Sequence, residues 1–191
     1  MRVFDKSFHK RIIVIYVNNK CNLKCKYCYV NTSDEIYYLN YEKLNQAVDI
    51  LLSYKFEYET IAFLGGEPLI NIKDVMKNIE YIRDRNQNIN ISIFTNGTLL
   101  TKKIFDFFEK FQVRVNISID GKKDINDLNR KFLNAKNSVF DMVYRKICQL
   151  DIRGKDNIRA NPVFNTTTVD YLLESIKFLN KIGFREILPD Q

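Results

Sequence analysis

The chain has 191 residues, of which 46% are hydrophobic and 28% charged, with a formal net charge of +7 and four cysteines. That composition excludes a disordered chain and is enough for one domain of ordinary size with a full core. The Lys and Arg residues interleave with Asp and Glu along the whole chain, which reads as a solvated surface rather than a nucleic-acid-binding block.

Met1–Lys10 mixes Asp5 and His9 with basic residues and lacks the apolar stretch of a signal peptide, so the cytoplasm is the expected compartment. Arg11–Asn18 is a β-branched run and reads as a first strand; its apolar portion, Ile12–Val17, is far too short to span a bilayer, and no membrane association is expected. Asn40–Tyr54 carries Leu44, Ala47, Val48, Leu51 and Leu52 at helical spacing. Thr60–Leu64 is a second strand. Asn71 is placed to cap a helix running to Arg85, with Ile72, Val75, Met76 and Ile79 on one face. A third strand, Ile89–Thr95, is followed by a helix that Thr101 caps and that reaches Lys110. Its phenylalanines, Phe105, Phe107, Phe108 and Phe111, read as packing residues. Gln112–Ile119 is a fourth strand, Ser138–Arg153 a helix closed by Gly154, and Ile158–Phe164 a fifth strand. A helix over Thr168–Ile182, ended by Gly183, leads to a sixth strand at Phe184–Leu188.

Six strands alternating with five helices predict βαβ units and a parallel sheet. Both a flat doubly wound sheet and a partial barrel fit this count. The fourth strand favours the barrel. Val113, Val115, Ile117 and Ile119 share one face, while Arg114, Asn116, Ser118 and Asp120 share the other. Arg159, Asn161 and Asn165 repeat the pattern on the fifth. A strand covered by helices on both sides should be apolar on both, so the polar face is expected to line a wet or ligand-filled lumen. The predicted fold is therefore α/β, a partial (βα)6, TIM-like open barrel of parallel strands.

Three of the four cysteines lie within eight residues, at Cys21, Cys25 and Cys28, directly after the first strand. In a reducing compartment such clusters read as metal ligands rather than disulfides. Three thiolates on a short loop can hold three irons of a 4Fe–4S cubane and leave the fourth iron open to an external chelating group. A zinc site would need a second ligand pair. The chain has only one histidine, His9, and Cys148 stands alone on a predicted helix, between Ile147 and Leu150, where it is expected to be buried.

Further motifs close the other strands: Gly65-Gly66-Glu67-Pro68 after the second, Thr95-Asn96-Gly97 after the third, Ser118-Ile119-Asp120-Gly121 after the fourth, then Asp127-Leu128-Asn129-Arg130. Every one falls at the C-terminal end of a predicted strand, where active sites of βα barrels assemble. The CxxxCxxC spacing together with these GGEP, TNG, SIDG and DxxR elements resembles the radical SAM superfamily. The nearest pattern is that of SPASM-type, anaerobic sulfatase-maturase-like enzymes that modify peptides and proteins. The resemblance covers Ile12 to Leu188, and makes residues 1–191 a single radical SAM core domain.

The resemblance implies a 4Fe–4S cluster on Cys21, Cys25 and Cys28 and S-adenosylmethionine (SAM) chelating the open iron. It implies reductive cleavage of SAM to a 5′-deoxyadenosyl radical that abstracts hydrogen from a substrate. Tyr27 then sits where an aromatic meets the adenine. Gly65 and Gly66 let the backbone approach the ligand, and Glu67, ahead of Pro68, accepts from the SAM ammonium. Asn96 lies near the ligand, Ser118 and Asp120 reach the ribose hydroxyls, Arg130 pairs with the SAM carboxylate, and Asn165 matches a position close to SAM. Plainer roles also fit: loop packing for Tyr27, a turn before a helix for Gly65 to Pro68, an Asn-Gly turn at Asn96, a surface arginine at Arg130.

The partners implied are a peptide or protein substrate and an electron donor such as ferredoxin or flavodoxin. Because the sequence stops at Gln191, just after the sixth strand, the last barrel helix and any C-terminal auxiliary domain are expected to be absent, and a partner chain completing the barrel is a further expectation. Two other readings stay open. One is an RNA-modifying member, motivated by the charge of +7 although no basic block supports a nucleic-acid partner. The other is a truncated, cluster-binding remnant without turnover of its own.

Overall fold

The computed structural model describes residues 11–30, 35–53, 58–134 and 136–189. Met1–Lys10 with His9, the Tyr54 end of the first predicted helix, and Gln191 lie outside them. Six strands, β1 (Arg11–Tyr16), β2 (Tyr58–Leu64), β3 (Asn90–Thr95), β4 (Val113–Ile117), β5 (Ile158–Ala160) and β6 (Glu186–Ile187), form one sheet in the order β1-β2-β3-β4-β5-β6, every pair parallel. The strands run in chain order and β1 and β6 stay unpaired with each other, so the barrel is open. No helix among the described residues is long and apolar enough to cross a membrane.

Six helices complete the fold: α1 (Tyr41–Ser53), α2 (Ile72–Arg85), α3 (Lys102–Lys110), α4 (Lys123–Asn129), α5 (Val139–Leu150) and α6 (Leu172–Lys181). They cover one face of the sheet. Ile13, Ile15, Ile61, Phe63, Ile91, Ile93, Val113, Val115, Ile117 and Ile158 point to that face and are all buried. They meet Leu44 and Val48 of α1, Val75, Ile79 and Ile82 of α2, Phe105 and Phe108 of α3, and Val143 and Ile147 of α5. Each such side chain contributes roughly 1.5–3 kcal/mol, so the core fixes the convex half of the molecule. The opposite, concave half is left for function.

Several boundaries differ from expectation. Asn71 makes no cap bond; its side chain donates to the Leu39 carbonyl at 3.1 Å. The start of α2 is set by a 3₁₀ turn, Pro68–Asn71, which Glu67 caps by accepting from the Leu69 N–H at 2.9 Å. Thr101 and Ser138 do cap α3 and α5, accepting from Ile104 and Asp141. Helix α5 ends at Leu150 because Asp151 itself takes the left-handed conformation, φ 44°, ahead of Gly154. The fourth, fifth and sixth strands are shorter than predicted: Gln112 has φ 52°, and beyond Ala160 the chain is drawn aside by the Val163 N–H, which donates to Asp120 at 2.9 Å. Thr168 precedes a 3₁₀ turn, Val169–Tyr171, rather than starting α6 directly.

Two side-chain and element expectations fail. Helix α4 was not predicted. Cys148 is exposed, not buried, because α5 buries Val139, Phe140, Val143, Ile147 and Leu150, and a residue one step past Ile147 is turned about 100° away from that stripe.

Candidate functional site

The loop that follows β1 carries Cys21, Cys25 and Cys28 across the C-terminal edge of the sheet. Two neighbouring segments hold its shape. The Lys24 and Lys26 N–H groups donate to the carbonyls of Lys131 and Asn129 at 2.8 and 3.0 Å, and Leu133 N–H returns a bond to Asn22 at 3.0 Å. Leu23 and Phe132 thereby form an antiparallel bridge. On the other side, the Gly66 and Glu67 N–H groups donate to Asn18 and Lys20 at 2.9 and 2.8 Å. A Cβ on Gly66 would stand 2.4 Å from the Lys20 carbonyl, and one on Gly65, which has φ +155°, 2.6 Å from the Asn18 oxygen. The two glycines are thus required by the close approach of the cysteine loop's own backbone.

A cavity of about 440 Å³ opens at this edge. Its lining includes all three cysteines, Tyr27, Gly65, Gly66, Glu67, Asn96, Ser118, Arg130 and Asn165, together with Thr95, Asn161, Val163 and Phe164. Of the residues singled out in the sequence, Pro68 and Asp120 stand behind this wall; both are buried.

Glu67 is fully buried, and both carboxylate oxygens are used within the protein. One accepts from Leu69 N–H and from the Thr95 hydroxyl at 2.7 Å; the other accepts from Asn96 N–H at 2.7 Å. Burial pushes its pKa up to about 6, against the pull of these donors. Glu67 therefore pins the loop after β2 to the loop after β3. Asn96 extends the chain of contacts. Its amide donates to Asn22 at 2.9 Å and reaches the Cys21 sulfur at 3.7 Å, while its oxygen accepts from Thr98.

Asp120 differs most from expectation. It is wholly buried and accepts bidentately from Arg130, from the Tyr27 hydroxyl, and from Val163 N–H. Its own N–H donates to the Asn126 side chain at 3.1 Å. No lone pair is left facing a ribose. Arg130, 5% exposed, is likewise committed to Asp120, with its guanidinium 5.2 Å from the Tyr27 ring centre. Burial alone would lower the Arg130 pKa, but the Asp120 charge outweighs it and holds the group firmly cationic. Burial raises the Tyr27 pKa, so the phenol stays protonated and donates. Asn165 lines the cavity, but its side-chain oxygen accepts from Thr167 and Thr168 and shapes the turn before α6. Asp127 accepts from Phe140 N–H at the start of α5. Asn22, Thr98, Asn126 and Val163 escaped the sequence reading; they are polar or backbone partners whose role exists only once distant loops meet.

All three thiols line the cavity. Among the described residues no three His, Cys, Asp or Glu side chains are gathered tightly enough to hold one metal ion, which does not suit zinc. A cubane, whose thiolates attach to different irons, suits an all-sulfur donor set of three cysteines. Burial pushes the Cys21 thiol up to about 11, only partly offset by the Leu23 N–H. Burial also raises Cys25, opposed by the Arg130 charge. Thiolates here call for strong neighbouring positive charge, which iron would supply.

Parallel strands in chain order, an open barrel, and loops converging on a cavity lined by three thiols define an open βα barrel with its candidate site at the C-terminal ends of the strands. The family model of the Radical SAM superfamily matches residues 15–188, and the chain belongs to that superfamily. It is a family of enzymes that use a 4Fe–4S cluster and SAM. An uncharacterized protein of Methanocaldococcus jannaschii is 34% identical over 93% of this chain and 61% of its own length. The cysteine-type anaerobic sulfatase-maturating enzyme of Clostridium novyi is 34% identical over 88% of this chain and 47% of its own. The radical SAM cyclopropyl synthase TigE of Paramaledivibacter caminithermalis is 29% identical over 87% and 38%. The solved structure of native anSMEcpe with bound AdoMet superposes with a TM-score of 0.78 at 27% identity, over 93% of this chain and 51% of that one. The chain thus spans about half the length of the relatives it matches.

Proposed function

We propose that this chain is the radical SAM core of an enzyme that modifies a peptide or protein. The observation that carries the reading is a cavity lined by Cys21, Cys25, Cys28 and the loops after β2, β3, β4 and β5. The sulfatase-maturating relatives support the substrate class, and one was solved with AdoMet and the Cp18Cys peptide at 26% identity. When bound, the cluster and SAM supply a 5′-deoxyadenosyl radical that abstracts hydrogen from an unactivated carbon.

The chain's own residues divide the work. Cys21, Cys25 and Cys28 hold the cluster. Ser118, Asn161 and Asn165 offer polar groups to SAM from the far wall, and the Gly65–Gly66 backbone forms the floor. Glu67, Asn96, Asp120 and Arg130 keep these loops in place and leave the direct contacts to others. Tyr27 holds the cysteine loop against Asp120. Val163, Phe164 and Phe94 keep water from the cavity. A small electron-transfer protein such as ferredoxin or flavodoxin supplies the electron, and a partner chain closes the open side of the barrel.

Oxygen-free loading with iron and sulfide should give a cubane signal in electron paramagnetic resonance after reduction, and SAM with dithionite should then give 5′-deoxyadenosine. Zinc in place of the cubane, or a cubane that yields no 5′-deoxyadenosine, overturns this reading.

A further inference from the structure

The turn after β3 carries a closed ring of hydrogen bonds to the cysteine loop. Asn22 donates its amide to the Thr98 hydroxyl at 2.8 Å. Thr98 donates that hydroxyl to the Asn96 side-chain oxygen at 2.7 Å, and Asn96 donates its amide to the Asn22 oxygen at 2.9 Å. Each member gives one bond and takes one, so the three strengthen one another. Asn96 and Thr98 are buried, and the Asn96 oxygen also accepts from Thr98 N–H at 3.0 Å. The turn closes this tightly because Gly97 takes the left-handed conformation, φ 76°.

The ring fixes which way the Asn96 amide faces. Its oxygen is spent on Thr98, so its nitrogen lies on the Asn22 side. One hydrogen of that nitrogen serves Asn22. The other serves Cys21, whose sulfur is 3.7 Å away. Leu23 N–H reaches the same sulfur at 3.3 Å. The Cys28 sulfur, by contrast, lies 4.0 Å from the Val30 carbonyl, which has no hydrogen to give. Holding the loops together does not by itself call for the Asn96 amide at Cys21. Glu67 already grips Asn96 through its main-chain N–H at 2.7 Å.

We propose that the Asn96 side chain, oriented by Asn22 and Thr98, raises the reduction potential of the iron–sulfur cluster by donating to the Cys21 sulfur. This rests on Cys21, Cys25 and Cys28 holding the cluster, as in the function proposed above. One-electron reduction by the donor protein adds one negative charge to the cubane, and part of that charge falls on the thiolate sulfurs. A hydrogen aimed at such a sulfur favours the reduced form over the oxidised one, and hydrogen bonds to the sulfurs are among the factors that set cluster potentials. A bond to a charged acceptor is stronger than one between neutral groups. Asn96 is therefore a positioning residue. It acts through a cluster ligand and sets how readily the electron is accepted.

The test is a potentiometric titration of the full chain, loaded with iron and sulfide without oxygen and followed by electron paramagnetic resonance. Asn96→Leu keeps the size of the side chain and removes the donor. Its reduction equilibrium should be about tenfold less favourable, a fall of about 59 mV in the midpoint. Asn96→Asp, which replaces the donor by an acceptor, should fall at least as far. A midpoint equal to or above that of the wild type overturns the inference. A second readout needs no variant. Wild type grown with asparagine isotopically labelled at its side-chain nitrogen should show a nitrogen coupling to the reduced cluster in pulsed resonance, and its absence overturns the inference too. Should N96L hold no cluster, N96D and the wild-type coupling decide. A wild type that forms no cubane defeats the proposed function and this inference together. A cubane that yields no 5′-deoxyadenosine yet shows the midpoint shift defeats the proposed function alone, and turnover with an unshifted midpoint defeats only the role of Asn96.

Discussion

Asp120 and Arg130 face each other through two parallel hydrogen bonds, Nε at 3.0 Å and Nη2 at 2.9 Å, in a pair almost wholly out of water. Ten residues separate them in sequence, and α4 fills the interval. The pair ties the end of β4 to the segment that straps the cysteine loop, while Tyr27 joins it from that loop. Removing one partner leaves an uncompensated buried charge, which costs about 3–5 kcal/mol. Asp120→Asn should therefore lower the melting temperature by roughly 6–20 °C. The double variant D120N/R130Q should lose less than the two single changes added together.

Glu67 gives a pH signature. Its pKa in the folded protein is about 6, above the ordinary 4.5, so the native state binds the proton more tightly than the unfolded one. The group's stabilising effect is present below pH 4.5 and is lost as pH rises to 6, by about 2 kcal/mol, after which the profile is level. Glu67→Gln cannot titrate. Denaturant unfolding of both proteins from pH 4.5 to 7 should show the wild type losing this advantage relative to E67Q as pH rises.

The close approach at Gly66 predicts a steric penalty. A Cβ would meet backbone atoms of Lys20 at 2.4 Å, and backbone cannot rotate aside. Gly66→Ala should cost about 1–3 kcal/mol. The displaced cysteine loop should also retain less iron per chain after desalting, read by colorimetric iron assay.

The cysteines are expected to separate cleanly. Replacing Cys21, Cys25 or Cys28 by Ala should each abolish the reduced cubane signal and most bound iron. Cys148, exposed on α5, should be replaceable by Ala with iron content and melting temperature unchanged.

Much of this architecture was legible from residues alone. The β-branched runs and the 3.6-residue spacing of Val75 and Ile79, or of Val143 and Ile147, mark strands and helices because one face of each is buried against the sheet. The polar face of β4 announced the concave side for the same reason. Helix α4 escaped because two of its three buried residues are Asn126 and Asn129, which carry no hydrophobic signal; the Asn126 side chain accepts from Asp120 N–H, and the main-chain carbonyl of Asn129 accepts from Lys26 in the cysteine loop. The cavity lining was legible in its loops but not in its roles. Glu67, Asp120 and Arg130 look like ligand groups in sequence, and only the folded arrangement shows Asp120 and Arg130 spent on each other and Glu67 on Leu69, Thr95 and Asn96. Gly66 was flagged for its missing side chain, but which backbone comes close to it is a three-dimensional fact.

The antiparallel contact between Leu23 and Phe132, with the bonds that flank it, ties the thiol-bearing loop to its neighbour through main-chain amides. A finger of chain braced in this way should keep its fold without iron. Stripping the metal should leave a receptive mould that fills again on re-exposure, unlike small metal-dependent domains that collapse when emptied and must refold around each new ion.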